Sequence, residues 1–164
     1  MRGLFNMSLI HELTTFLKTN LPEPIFRGQK FASFMDNLEI DRSFSLITDS
    51  PARQLRCAKL KYDAVITFDD FPYRTYDPCL VFALVMVWLE NKTSNDERFD
   101  SINPDIDVSE NDEQTAYLMI SVPLFEEITL IADETGSIPH NGRRYQLGKT
   151  DIWAHPDEVN INAN

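Results

Sequence analysis

Asp77-Pro78-Cys79-Leu80-Val81-Phe82-Ala83-Leu84-Val85-Met86-Val87-Trp88-Leu89-Glu90-Asn91-Lys92 is the stretch that decides the fold. Asp77 suits an N-cap, because its carboxylate can accept a hydrogen bond from a free backbone N–H of the first turn. Pro78 fits the first helical position, where a missing N–H costs nothing. Lys92 stands at the other end, where the helix dipole favours a cation. Cys79 to Leu89 holds no polar side chain, so hydropathy cannot orient the helix, and a helix apolar all round is normally buried on most sides. The run is too short for a bilayer, which takes about 20 apolar residues. Val81, Val85 and Val87 keep a buried strand open, but length and caps favour helix. The expectation is a core helix clasped by a sheet, with Cys79 a buried free thiol.

Working outward, Leu60 to Asp69 reads as a strand. Leu60, Tyr62, Ala64, Ile66 and Phe68 fall on one face and Lys61, Asp63, Thr67 and Asp69 on the other, which predicts one dry and one wet side. Leu9, Ile10, Leu13, Phe16 and Leu17 after Ser8 have helical spacing, and Pro22 and Pro24 end that helix near Asn20. Phe26 to Phe34 and Phe44 to Ile47 read as two short strands or irregular arms, with Asp49-Ser50-Pro51 a turn. Beyond the central helix come a polar turn (Asn91 to Arg98), a short strand at Ile106 to Val108 and an acidic loop from Ser109 to Gln114. Ala116 to Ile131 is a long strand in which Pro123 demands an edge or a bulge. Asn141-Gly142 signals a hairpin joining Ile138-Pro139 to Arg144–Leu147, and Ile152-Trp153 a last short strand. The order predicts an α+β fold, with two main helices on one face of a mostly antiparallel or mixed sheet.

The chain has 164 residues, 43% of them hydrophobic. That is enough for one domain spanning 1–164, with flexible ends at 1–6 and 155–164. Met7 is an alternative start to Met1, no secretory signal is visible, and no segment is expected to enter a membrane. The net charge of −11 argues against nucleic acid as a direct partner. The whole surplus lies between Asp96 and Glu134, which holds twelve acids and one base. Such a region is either a solvated face or a surface kept negative toward a partner. Two cysteines suggest no disulfide framework and fit a reducing cytoplasm.

Residues arranged for chemistry are scarce. His11, His140 and His155 lack metal-ligand spacing, and five glycines leave no room for a phosphate loop. Cys57 lies beside Arg56 and Lys59, which could lower its pKa, but no histidine base accompanies it. Of the acid pairs Asp69/Asp70, Asp105/Asp107 and Glu126/Glu127, only Asp105 and Asp107 would share a strand face. A solvated edge is the preferred reading there. No catalysis, metal or cofactor is expected.

The run from Tyr62 through Ile131 resembles the tail-completion family of contractile-tailed temperate phages, the gpR-type protein. Three features carry the resemblance: the strand end Ile66-Thr67-Phe68-Asp69-Asp70-Phe71, the Asp77-Pro78 opening into an apolar helix that ends Trp88-Leu89-Glu90-Asn91, and Asn103-Pro104-Asp105-Ile106-Asp107-Val108 followed by Tyr117 to Ile131. They cover somewhat less than half of the chain and leave out the N-terminal part and Arg143 to Trp153. The resemblance implies a structural, tail-terminator-like subunit of the virion tail, assembled in the host bacterial cytoplasm. It would form a homo-oligomeric ring, usually hexameric, on the tail-tube protein and present a surface to the head-completion or connector protein. DNA would pass only as cargo. The expected interaction set is Asp105, Asp107, Glu110, Asp112, Glu113, Glu126 and Glu127. The alternative is an acidic adaptor that binds one basic partner.

Overall fold

The computed structural model describes residues 8–26, 31–93 and 103–148. The expected strand at Ile152-Trp153, the two ends expected to be flexible and most of the turn after Asn91 lie outside them. The elements are α1 (Leu9–Asn20), a short 3-10 helix (Glu23–Phe26), β1 (Phe31–Thr48), β2 (Gln54–Phe71), α2 (Cys79–Thr93), β3 (Asp105–Glu110), β4 (Ala116–Ala132), β5 (Ile138–His140) and β6 (Arg143–Leu147). Among the described residues the fold is α+β, with two α-helices and an antiparallel sheet. Among the described residues the strand order is β1-β2-β4-β6-β5, with β3 also paired to β4. The chain divides into two compact units. The helical unit is built from Leu9–Leu38 and Tyr62–Leu124, the hairpin unit from Glu39–Lys61 and the chain from Phe125 on.

In the helical unit, α1 buries Leu9, Ile10, Leu13 and Leu17, the stripe its spacing predicts. The Ile10 N–H donates to the Tyr62 hydroxyl at 3.1 Å, which satisfies one of the first-turn donors that has no partner within a helix. Phe68 packs among Phe26, Phe31 and Phe71 at centroid distances of 5.1 to 6.1 Å. Tyr62, Ala64, Ile66 and Phe68 of β2 are buried as expected, but so are Val65 and Thr67. The dry-and-wet alternation therefore fails mid-strand, where both faces are covered; of the expected wet residues only Lys61 and Asp69 are exposed, and Asp63 is half-buried.

α2 starts as its caps dictate, with the Cys79 N–H donating to Asp77 Oδ1 at 2.9 Å. Its environment differs from the expectation. Val81, Val85, Trp88, Leu89 and Lys92 are buried, whereas Cys79, Leu80, Ala83, Met86 and Val87 face solvent. The helix packs on α1, and only one side is covered. The Cys79 thiol is exposed, not buried as expected, and Asp77 beside it raises its pKa.

The two short arms expected between 26 and 47 are one 18-residue strand, β1. Asn37 has a left-handed φ of 53°, which breaks the alternation of side chains and hides a continuous strand from a period-of-two reading. β4 runs through Pro123. It pairs with β3 up to Ser121 and with β6 from Leu130, so the proline falls between the two registers and takes no bond from either.

In the hairpin unit, Asn141 and Gly142 have φ of 47° and 78°, the consecutive positive values that a two-residue type I′ turn requires. The turn sets Pro139 opposite Arg144 and His140 opposite Arg143. Leu55, Leu130 and Tyr145 form the core, with Cys57, Ala132 and Ile138 packed against it. The Phe44 ring stacks on His140 with centroids 4.9 Å apart, so within this unit the first and last strands of the order touch.

Candidate functional site

Five of the seven expected interaction residues lie on β3 and the loop after it, in the helical unit. β3 pairs antiparallel with β4, Asp105 opposite Ser121 and Glu110 opposite Ala116, and every residue of β3 is exposed. Strand alternation puts Asp105 and Asp107 on one face and Ile106 and Val108 on the other. The cross-strand partners of Ile106 and Val108 are Ile120 and Leu118, which are fully buried. The apolar pair of β3 therefore stands on the core face at the sheet margin, with Glu110 at the strand end on that same face opposite the buried Ala116, and Asp105 and Asp107 point the opposite way.

The loop after β3 is held by specific bonds. Asp112 Oδ1 accepts from the Gln114 and Thr115 N–H groups, both at 2.8 Å. Those donors hold the Asp112 carboxyl below the usual carboxylate range. Asn111 Nδ2 donates to the Asp69 carbonyl at 2.5 Å, and Arg74 Nε to the Glu113 carbonyl at 2.7 Å. The Tyr73 hydroxyl lies 3.2 Å from Glu110 Oε2 and from the carbonyls of Asp112 and Glu113. Residues from the approach to α2 thus fasten the loop while leaving Glu110, Asp112 and Glu113 exposed.

Glu126 and Glu127 are elsewhere. Both are buried in the hairpin unit's part of β4, at 1% and 3% exposure. Glu127 Oε2 lies 2.8 Å from Arg56 Nε. An adjacent acid pair within a strand read as solvent- or partner-facing, but Arg56 from β2 supplies a countercharge that sequence distance conceals. Cys57, next to Arg56, also departs from its expectation. Its thiol is pushed up by burial, the reverse of the lowering expected from Arg56 and Lys59.

The hairpin unit also carries an open cleft of about 810 Å³ lined by Asp49, Arg53, Asp133, Glu134, Arg143 and Arg144. Its charges are largely engaged locally: Arg53 meets Asp49 at 2.6 Å, and Arg144 Nε donates to the Gly136 carbonyl at 2.9 Å. Next to it is a hollow of about 310 Å³ lined by Phe44, Leu46, Leu55, His140 and Tyr145 together with Arg53 and Arg143. Among the described residues no group of three or more histidines, cysteines or acids could hold a metal ion. The larger surprise is apolar: the outer side of α2 and the Ile40, Phe44 and Leu46 side of β1 are open. The sequence signalled the composition of both but not their exposure.

The family model described as P2 phage tail completion protein R (GpR) matches residues 7–148. The chain belongs to that family. The match takes in the N-terminal part and the start of the segment after Arg143, which the motif resemblance leaves out. This GpR-family chain is thus a structural bacteriophage protein that acts in tail completion and virion assembly, as a tail component that meets other tail components. It is 22% identical over 153 residues to an uncharacterised 19.2-kDa protein of the rep-hol intergenic region of Haemophilus phage HP1, covering 93% of this chain and 89% of that protein. No solved structure matches it. Among the described residues no helix is long and apolar enough to cross a membrane.

Proposed function

We propose that this GpR-family protein completes the tail as a non-catalytic, terminator-like ring subunit. About six copies cap the last ring of the tail-tube protein, stop its growth and present a face to the head-completion or connector protein. The acidic set Asp105, Asp107, Glu110, Asp112 and Glu113 lines the path of the passing DNA, where like charge keeps phosphate from sticking. The observation that supports this reading is the acidic margin itself: exposed on β3 and its loop, yet held in place by Asn111, Tyr73 and Arg74.

Two experiments test it. Electron microscopy of tails made without the protein should show overlong or headless tubes; tails of normal length joined to heads would exclude the role. Reversing the five acids to lysine should leave the fold intact but impair joining or DNA passage. Undiminished yield of infectious particles from that variant would remove the DNA-path assignment while leaving the capping role standing.

A further inference from the structure

The proposed ring needs contacts between neighbouring copies, and two open apolar surfaces in this chain suit them. The first is the outer side of α2, where Leu80, Met86 and Val87 are 39, 48 and 50% exposed around the small side chain of Ala83. The second is one face of β1 in the hairpin unit, where Ile40, Phe44 and Leu46 are 62, 53 and 50% exposed, one side of the Phe44 ring being covered by His140. Alternation places Arg42 on the same face, and Arg53 and Arg143 line the hollow beside Phe44 and Leu46.

Resting on that ring reading, we propose that the outer side of α2 in one copy seats on the Ile40-Phe44-Leu46 face of β1 in the next copy. The occupant of each surface is thus a second copy of this chain, in head-to-tail contact.

Two observations favour this pairing. The first is area. At roughly 200 Å² for a large apolar side chain fully open, each surface offers about 300 Å² of apolar area. A stable interface takes roughly 800 Å² per partner with a drier centre, so each surface is the size of an interface core. The second is charge. The described part of the helical unit carries thirteen acids and three bases, whereas that of the hairpin unit carries seven of each. Two α2 surfaces meeting face to face would set one strongly negative unit against another. α2 meeting β1 sets the negative unit against a balanced one, with Arg42 and Arg143 at the receiving face and Arg53 held by Asp49. Two unlike surfaces that fit one another generate a closed ring when the rotation closes, whereas a self-complementary patch stops at a dimer.

The test uses the full chain as wild type, Val87→Glu and Ile40→Glu, sized by multi-angle light scattering and counted per tail on purified particles. The wild type should give about six copies in solution or on the tail. Each variant should fall to a monomer with an unchanged circular dichroism spectrum; Val87→Gln and Ile40→Gln replace any glutamate variant that loses its spectrum. An equimolar mixture of the two should recover dimers, because each variant still carries the surface that the other has lost. Dimers of Ile40→Glu alone, or multimers that survive Val87→Glu, would overturn the pairing and leave the ring reading standing. A single copy of wild type per tail would overturn both.

Discussion

Lys92 Nζ lies 2.7 Å from Glu12 Oε1, which joins the last turn of α2 to the first turn of α1. The lysine side chain is 4% exposed and the glutamate side chain 17%, and the ammonium also lies 5.7 Å from the centre of the Trp88 ring. A cation that the sequence assigns to a helix dipole is instead part of the packing between two helices. Removing one partner of a largely buried ion pair costs more than the pair itself contributes. Glu12→Leu should therefore cost about 3–5 kcal/mol in denaturant unfolding, and adding Lys92→Met should return most of it. Equal losses in the single and double variants would show that the pair contributes little.

The two sides of α2 should respond oppositely to truncation. Trp88→Ala should cost roughly 3–5 kcal/mol, as deletion of a buried ring does. Met86→Ala and Val87→Ala should stay within about 0.5 kcal/mol, because both side chains are half open. Equilibrium urea unfolding of the three variants checks this, and similar losses at all three positions would contradict the one-sided burial.

The cap at the start of α2 rests on one bond from the Cys79 N–H to Asp77. Asp77→Ala should lower stability by ~0.5–2 kcal/mol, and Asp77→Asn by much less. A thermal melt separates the two, since a purely electrostatic role would make asparagine as harmful as alanine.

Acid should loosen the β3–β4 loop through Asp112. Its carboxyl is held below the ordinary range by the N–H groups of Gln114 and Thr115. For a depressed carboxylate, the stabilisation is present above the unfolded-state pKa and disappears as pH falls through the lower folded-state value. Asp112→Asn should accordingly flatten the acid limb of stability below about pH 4 by lowering the neutral plateau toward the acid value, because asparagine keeps an acceptor oxygen but not the charge. An unchanged acid limb in that variant would assign the pH dependence to other carboxylates.

Gly136 should tolerate no side chain. A Cβ there would collide with the Tyr145 carbonyl, which is backbone of β6 and has no freedom to move aside. Gly136→Ala should destabilise the hairpin unit by more than the ordinary surface substitution, read as faster amide exchange in β5 and β6. Exchange at the wild-type rate would mean the turn accommodates the methyl group.

What the sequence made legible follows from where local chemistry is decisive. Asp77, Pro78 and Asn141-Gly142 act through neighbouring backbone, and the helix and hairpin they mark stand where they predict. The acids from Asp105 to Glu113 likewise proved exposed because a short edge strand leaves nothing to cover them. What was illegible depends on distant partners. An apolar run without phase says nothing about which side α1 covers, so the open side of α2 was unreadable. Glu127 and Arg56 are 71 positions apart, and no local pattern links them. β1 was misread as two pieces because Asn37 resets its alternation.

The open side of α2 also sets conditions on the life of the free subunit. Greasy surface drives indiscriminate clumping at high protein concentration, and the chain's net charge of −11 is what keeps separate copies apart as a colloid. That repulsion reaches about 8–10 Å at physiological ionic strength and shrinks to about 3 Å in molar salt. Dispersal of unassembled material is therefore a property of the medium as much as of the fold, and concentrated salt would precipitate loose subunits before it disturbed their secondary structure.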